Sequence, residues 1–67
     1  MTYYVTSNNS GYMGERAYNT LAKALKMAES WVLRGGERSA DITRGYNGPL
    51  IYHYWIDNTG MQYVKYS

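Results

Sequence analysis

The chain contains no cysteine. A disulfide framework and a thiolate metal site are therefore both excluded. It has a single histidine, His53, so a multi-histidine metal site is excluded as well. Phenylalanine is absent, which leaves tyrosine, tryptophan and the aliphatic residues to build the core. No run approaches the ~20 apolar residues that a membrane-crossing helix needs. The start, Met1-Thr2-Tyr3-Tyr4, has neither the basic nor the apolar region of a signal peptide. These absences lead us to expect a cytoplasmic protein with no membrane partner. No internal repeat or low-complexity segment is present.

Carboxylates are few. Glu15, Glu29, Glu37, Asp41 and Asp57 are the five in the chain. They fall in a loop, on a helix flank and at strand ends, without the spacing of a general acid and base pair. Gly11 and Gly14 lie in a turn-rich segment, Asn8 to Gly14, whose composition leads us to expect a flexible loop exposing Tyr12 and Met13. That segment lacks the GxxxxGK[ST] pattern of a phosphate cradle. Nothing resembles a nucleophile elbow, and a domain of this size has little depth for a pocket. The expectation is a protein that is not an enzyme and holds no cofactor.

What the chain does have is aromatic surface. Its 67 residues include nine tyrosines and two tryptophans, and each tyrosine brings a large apolar ring together with a hydroxyl that needs a partner or water. Residues 1–67 read as a single domain, near the size at which only about 60% of the unfolded surface becomes buried. Its stability should be marginal, ~3–5 kcal/mol unless a partner or second copy adds to it. A net charge of +2 and a pI near 9.0 are too mild to identify a nucleic-acid binder, although they are compatible with an anionic partner.

Ser39 to Tyr66 alternates in the manner of strands, rich in Ile, Val, Thr, Tyr and Trp. Gly48 and Gly60 close the turn-prone segments Tyr46-Asn47-Gly48 and Asn58-Thr59-Gly60. A glycine at the third position of a three-residue hairpin loop takes the left-handed conformation at no steric cost. Two three-residue loops set Ile42 opposite Tyr52, Ala40 opposite Tyr54, Tyr54 opposite Val64 and Tyr52 opposite Tyr66. One face then collects Ala40, Ile42, Leu50, Tyr52, Tyr54, Ile56, Val64 and Tyr66 as core. A two-residue Asn47-Gly48 loop would turn Asp41 and Thr43 inward, since one residue of slip inverts every side chain.

Upstream, Thr2 to Ser7 reads as a strand with Tyr3 and Val5 inward. A helix is expected from about Thr20 to Arg34, capped by Asn19 or Thr20 and ended by Gly35-Gly36. Leu21, Ala24, Leu25, Ala28, Trp31 and Val32 recur at helical spacing on its inner side, with Lys23, Lys26, Ser30 and Arg34 outward. Trp31 is expected in the core. The fold class is α+β, in the order β-α-β-β-β, with one helix packed on one face of a small, mainly antiparallel sheet, the first strand joining the C-terminal meander.

The open face of that sheet would carry Asp41, Thr43, Ile51, His53, Trp55, Asp57, Met61, Tyr63 and Lys65. Trp55 would oppose Tyr63, and His53 would oppose Lys65. Ile51, His53, Trp55, Tyr63 and Lys65 are the candidate partner-binding residues, because rigid aromatics mixed with donors and a charge are favoured at protein interfaces. The plainer reading makes Trp55 and Tyr63 a cross-strand pair that only stabilises the hairpin. Arg34, Arg38 and Arg44 form a second candidate group, for nucleic-acid or secondary contacts, with solvated surface charge as its plain alternative. With those cations, the sheet aromatics could stack bases in a small nucleic-acid-binding protein. A third reading has the open face buried by a second copy in a homodimer.

The layout of a strand YYVT, a helix TLAKALKMAESW and a terminal meander ITRGYNGPLIYHYWIDNTGMQYVKY resembles small proteins of phages and mobile elements, in particular some type I-F anti-CRISPR inhibitors. The resemblance covers most of the chain and contains no diagnostic motif. It implies a non-catalytic inhibitor in the host cytoplasm, seated on a host nucleic-acid-processing complex and blocking its access to DNA.

Overall fold

A computed structural model describes residues 1–7, 15–34 and 38–66. The elements run β1 (Tyr3–Ser7), β2 (Glu15–Tyr18), α1 (Leu21–Leu33), β3 (Ser39–Arg44), β4 (Leu50–Asp57) and β5 (Gly60–Lys65). All pairings are antiparallel, in the order β2-β1-β3-β4-β5. The expected α+β domain is present: one helix lies on one face of a small antiparallel sheet, and the first strand joins the C-terminal meander. The short strand β2 is an addition. It pairs with β1 from Tyr3↔Tyr18 to Thr6↔Glu15, so β1 is an interior strand. The expected loop from Asn8 to Gly14 and the helix stop at Gly35-Gly36 lie outside the described residues.

α1 starts where its cap permits. The Thr20 side chain accepts from the Lys23 N–H at 3.2 Å, satisfying one of the orphan donors of the first turn. Ala24, Ala28, Trp31 and Val32 are buried, and Leu21 and Leu25 pack beside them. Small alanines let the helix axis approach the sheet, and Trp31, only 3% exposed, fills the space toward its C-terminal end. The sheet contributes Val5, Ala40, Ile42, Ile51 and Tyr54 to the same cluster.

The first hairpin keeps the expected central register, Ile42↔Tyr52 and Ala40↔Tyr54, but not the expected loop. Its turn is Gly45-Tyr46-Asn47-Gly48, closed by Gly48 N–H to Gly45 C=O at 3.1 Å and by Arg44 N–H to Pro49 C=O at 3.0 Å. Asn47, not Gly48, takes the left-handed backbone, at φ 57°. Gly48 is required by space, because a Cβ there would stand 1.8 Å from the Arg44 carbonyl oxygen. Pairing then jumps from Ile42↔Tyr52 to Thr43↔Leu50. The extra residue is Ile51, and this bulge lets Ile51 and Tyr52 both lean toward the helix. Ile51 is therefore 4% exposed in the core while Leu50 is 38% exposed on the other side.

The second hairpin differs by one residue from the expected register. Asp57↔Gly60 closes a two-residue Asn58-Thr59 loop, giving Tyr54↔Tyr63, His53↔Val64 and Tyr52↔Lys65. Asp57 selects this turn. Its Oδ1 accepts from the Thr59 N–H at 2.8 Å and from the Thr59 hydroxyl at 2.7 Å, a side chain mimicking the backbone of a turn. These bonds hold the Asp57 carboxyl below the usual range, the Thr59 hydroxyl contributing most, then its N–H, with a smaller part from the Trp55 side chain. Met61, Tyr63 and Lys65 consequently share the helix side with Tyr52 and Tyr54, and Val64 turns to the open side.

Candidate functional site

Only one face of the sheet is covered by α1. Among the described residues no element lies across the other, and the registers define its rows. One row runs Ala17, Tyr4, Thr43, Leu50; the next runs Glu15, Thr6, Asp41, His53, Val64; a third holds Ser39, Trp55 and Gln62, with Asp57 beyond Trp55 on β4. Of the candidate partner-binding residues, His53 and Trp55 are here. Ile51 is in the core, removed by the bulge, and Tyr63 and Lys65 are on the helix side, removed by the two-residue turn.

The Trp55–Tyr63 pair is therefore replaced by two separate aromatic groups. On the open face the His53 and Trp55 rings stack, with centroids 5.5 Å apart and planes at 23°. Tyr4 meets Tyr46 of the first turn edge-on at 5.7 Å. On the helix side Tyr63 stacks on Tyr54 at 5.5 Å and leans on Tyr52 at 6.3 Å. Tyr63 itself is 60% exposed. Burial, then the Glu29 carboxylate and the neighbouring Tyr52 and Tyr63 hydroxyls, push the Tyr54 phenol up to about 12.

His53 Nδ1 lies 2.5 Å from Asp41 Oδ1. The ring N–H donates to the carboxylate, which orients the imidazole and leaves Nε2 without a bond among the described residues. Along the same row the Thr6 hydroxyl donates to Glu15 Oε2 at 3.3 Å. Gln62 Nε2 donates to the Thr59 hydroxyl at 2.8 Å, continuing the chain that ends on Asp57. Among the described residues no group of three or more His, Cys, Asp or Glu could hold a metal ion.

Charge divides between the two sides of the sheet, a feature hidden in a net charge of +2. Glu15, Asp41 and Asp57 all stand on the open face, and no lysine or arginine joins them. Arg16 pairs with Val5, Arg44 with Tyr3 and Lys65 with Tyr52, all on the helix side. Arg38 continues that side in register with Ile56, whose N–H donates to its carbonyl at 3.2 Å. Lys23, Lys26 and Arg34 belong to α1 and its end. Arg34, Arg38 and Arg44 do not form one cluster: Arg38 and Arg44 flank opposite ends of β3, about 20 Å apart at the rise of a strand.

One shallow hollow of about 370 Å³ lies at the junction of β2 and α1, lined by Ala17, Tyr18, Asn19, Thr20 and Lys23. Of its lining residues only Ala17 belongs to a row of the open face. No helix among the described residues is long and apolar enough to cross a membrane. The fold and this face define a small α+β domain with one helix-covered sheet surface and one that no described element covers. Compared with known proteins, the chain matches no family model, no curated protein and no solved structure.

Proposed function

We propose that this is a non-catalytic protein-binding module that docks through its uncovered sheet face. The observation that carries the reading is the ordered aromatic centre of that face: Trp55 stacked on His53, with His53 held by Asp41 and apolar Leu50 and Val64 exposed at its margins. Rigid aromatics with satisfied polar neighbours suit an interface, because little side-chain freedom is lost on docking. The resemblance of the layout to type I-F anti-CRISPR inhibitors suggests the partner class, a host nucleic-acid-processing complex such as a CRISPR effector. In this reading the protein is a phage-type inhibitor acting in the host cytoplasm.

A pull-down of the tagged chain from bacterial lysate, with and without nuclease, tests this. A discrete protein recovered after nuclease, and lost with Trp55→Ala, is the expected result. Recovery that is indifferent to Trp55→Ala refutes docking through this face.

Direct nucleic-acid binding is the second reading, and one observation favours a location for it. All seven lysines and arginines lie on the helix side, where Tyr63 and Lys65 are exposed. Phosphates would be drawn there and repelled from the acidic aromatic face. Such binding would weaken steeply with salt and would not depend on Trp55. Burial of the open face by a second copy is the third reading, and a concentration-dependent mass would reveal it.

A further inference from the structure

Resting on the protein-binding reading above, we infer that the open face is a seat for a cationic segment of the partner, one that presents arginine or lysine side chains to Trp55 and to the carboxylates of Asp41, Asp57 and Glu15. The geometry is specific about what fits. Trp55 stands on β4 between the Asp41–His53 pair and Asp57, two residues away on each side. A guanidinium laid on the indole would find a carboxylate within reach in both directions along the strand, combining cation–π attraction with charge-assisted hydrogen bonds.

The hydrogen-bonding character agrees with the charge. Asp41, Asp57 and Glu15 are acceptors, and His53 turns its Nδ1 toward Asp41. Arginine and lysine are donor-only side chains. A partner rich in carboxylates or phosphates would meet three carboxylates with no lysine or arginine of the same face to answer it. Asp57 is kept ionised by its bonds from Thr59, so that charge persists well below neutral pH. A cationic surface is also what holds nucleic acid, so an occupant of this kind explains how a chain of positive net charge could compete for a nucleic-acid site.

The test is an NMR titration of the full ¹⁵N-labelled chain with three probes: hexa-arginine, hexa-glutamate and a short single-stranded oligodeoxynucleotide. Hexa-arginine should move the Trp55 indole N–H and the amides around Asp41, His53 and Val64, while hexa-glutamate leaves them in place. Asp41→Asn with Asp57→Asn should weaken the hexa-arginine complex roughly tenfold, the sum of two partly exposed ion pairs. Val64→Lys adds an opposing charge beside His53 without removing any hydrogen bond, and a similar loss in that variant with native amide dispersion is ascribed to charge and not to unfolding.

Shifts confined to the helix side, an absence of shifts, or movement of the open face by the oligonucleotide would overturn the inference. Movement of the open face on adding unlabelled protein alone would also overturn it, assigning the seat to the basic side of a second copy. The two levels separate cleanly with the captured partner. If its recovery needs Trp55 but ignores Val64→Lys and Asp57→Asn, the docking face stands and its cationic occupant falls. If recovery ignores Trp55 as well, the docking reading itself falls.

Discussion

Two glycines show how one residue type serves two physical purposes in this chain. Gly60 has φ 112° and open space around its missing Cβ, whereas Gly48 faces the Arg44 carbonyl oxygen. Gly60→Ala should therefore cost about 1–2 kcal/mol, the conformational penalty of a positive φ. Gly48→Ala should cost more, about 3 kcal/mol or above, since backbone must move to admit the methyl. Urea unfolding of both variants checks the order, and equal losses would contradict it. In that turn Gly45 and Asn47 both take positive φ, 83° and 57°, a conformation that the short asparagine side chain tolerates. Ionisation offers a second prediction at this scale. The Tyr54 phenol is raised from 10.0 to about 12, so the folded state favours the neutral ring. Its contribution is complete below pH 10 and is lost as pH rises toward 12. Tyr54→Phe should make stability flatter across that window, measured by denaturant midpoints at successive pH values.

The bulge and the turn account for most of what alternation alone misassigns. Helix α1 was legible because its cap, its apolar stripe and its alanines are local signals that act together. The central pairing of β3 with β4 was legible for a similar reason, as only one register buries Ile42, Ala40, Tyr52 and Tyr54 together. The faces of Ile51, Tyr63 and Lys65 depended instead on single-residue offsets, which periodicity cannot see. For β5 a signal was present: Asp57 two residues before Thr59 is an Asx-turn pattern, and it argues for a short loop. For Ile51 the hint was an apolar run, Leu50-Ile51-Tyr52, in which two neighbours compete for the inner face. Strand β2 carries Glu15-Arg16-Ala17-Tyr18, exposed for three of its four residues, and so lacks any apolar alternation. The bulge makes a direct prediction. Ile51→Ala should lose about 2–4 kcal/mol through a core cavity, while Leu50→Ala stays within about 1 kcal/mol. Thermal melts would distinguish them, and the reverse order would place Ile51 back on the surface.

At the scale of the molecule, a helix that contributes two alanines to a small core leaves unusual weight on one side chain. Trp31 is 3% exposed and is the largest side chain that the helix buries. Truncating a buried tryptophan costs about 3–5 kcal/mol, which equals the whole margin of roughly 3–5 kcal/mol expected of a domain this small. Trp31→Ala should thus be largely unfolded at room temperature, seen as collapsed amide dispersion in a proton–nitrogen spectrum. Trp55 lies on the other side of the sheet, where its stacking on His53 is a surface contact of at most about 1 kcal/mol. Trp55→Ala should lower Tm by no more than about 4–8 °C and retain native dispersion. The two tryptophans divide the molecule into a side that makes it fold and a side that we propose binds. A folded Trp31→Ala together with an unfolded Trp55→Ala would invert that division, and with it the choice of face.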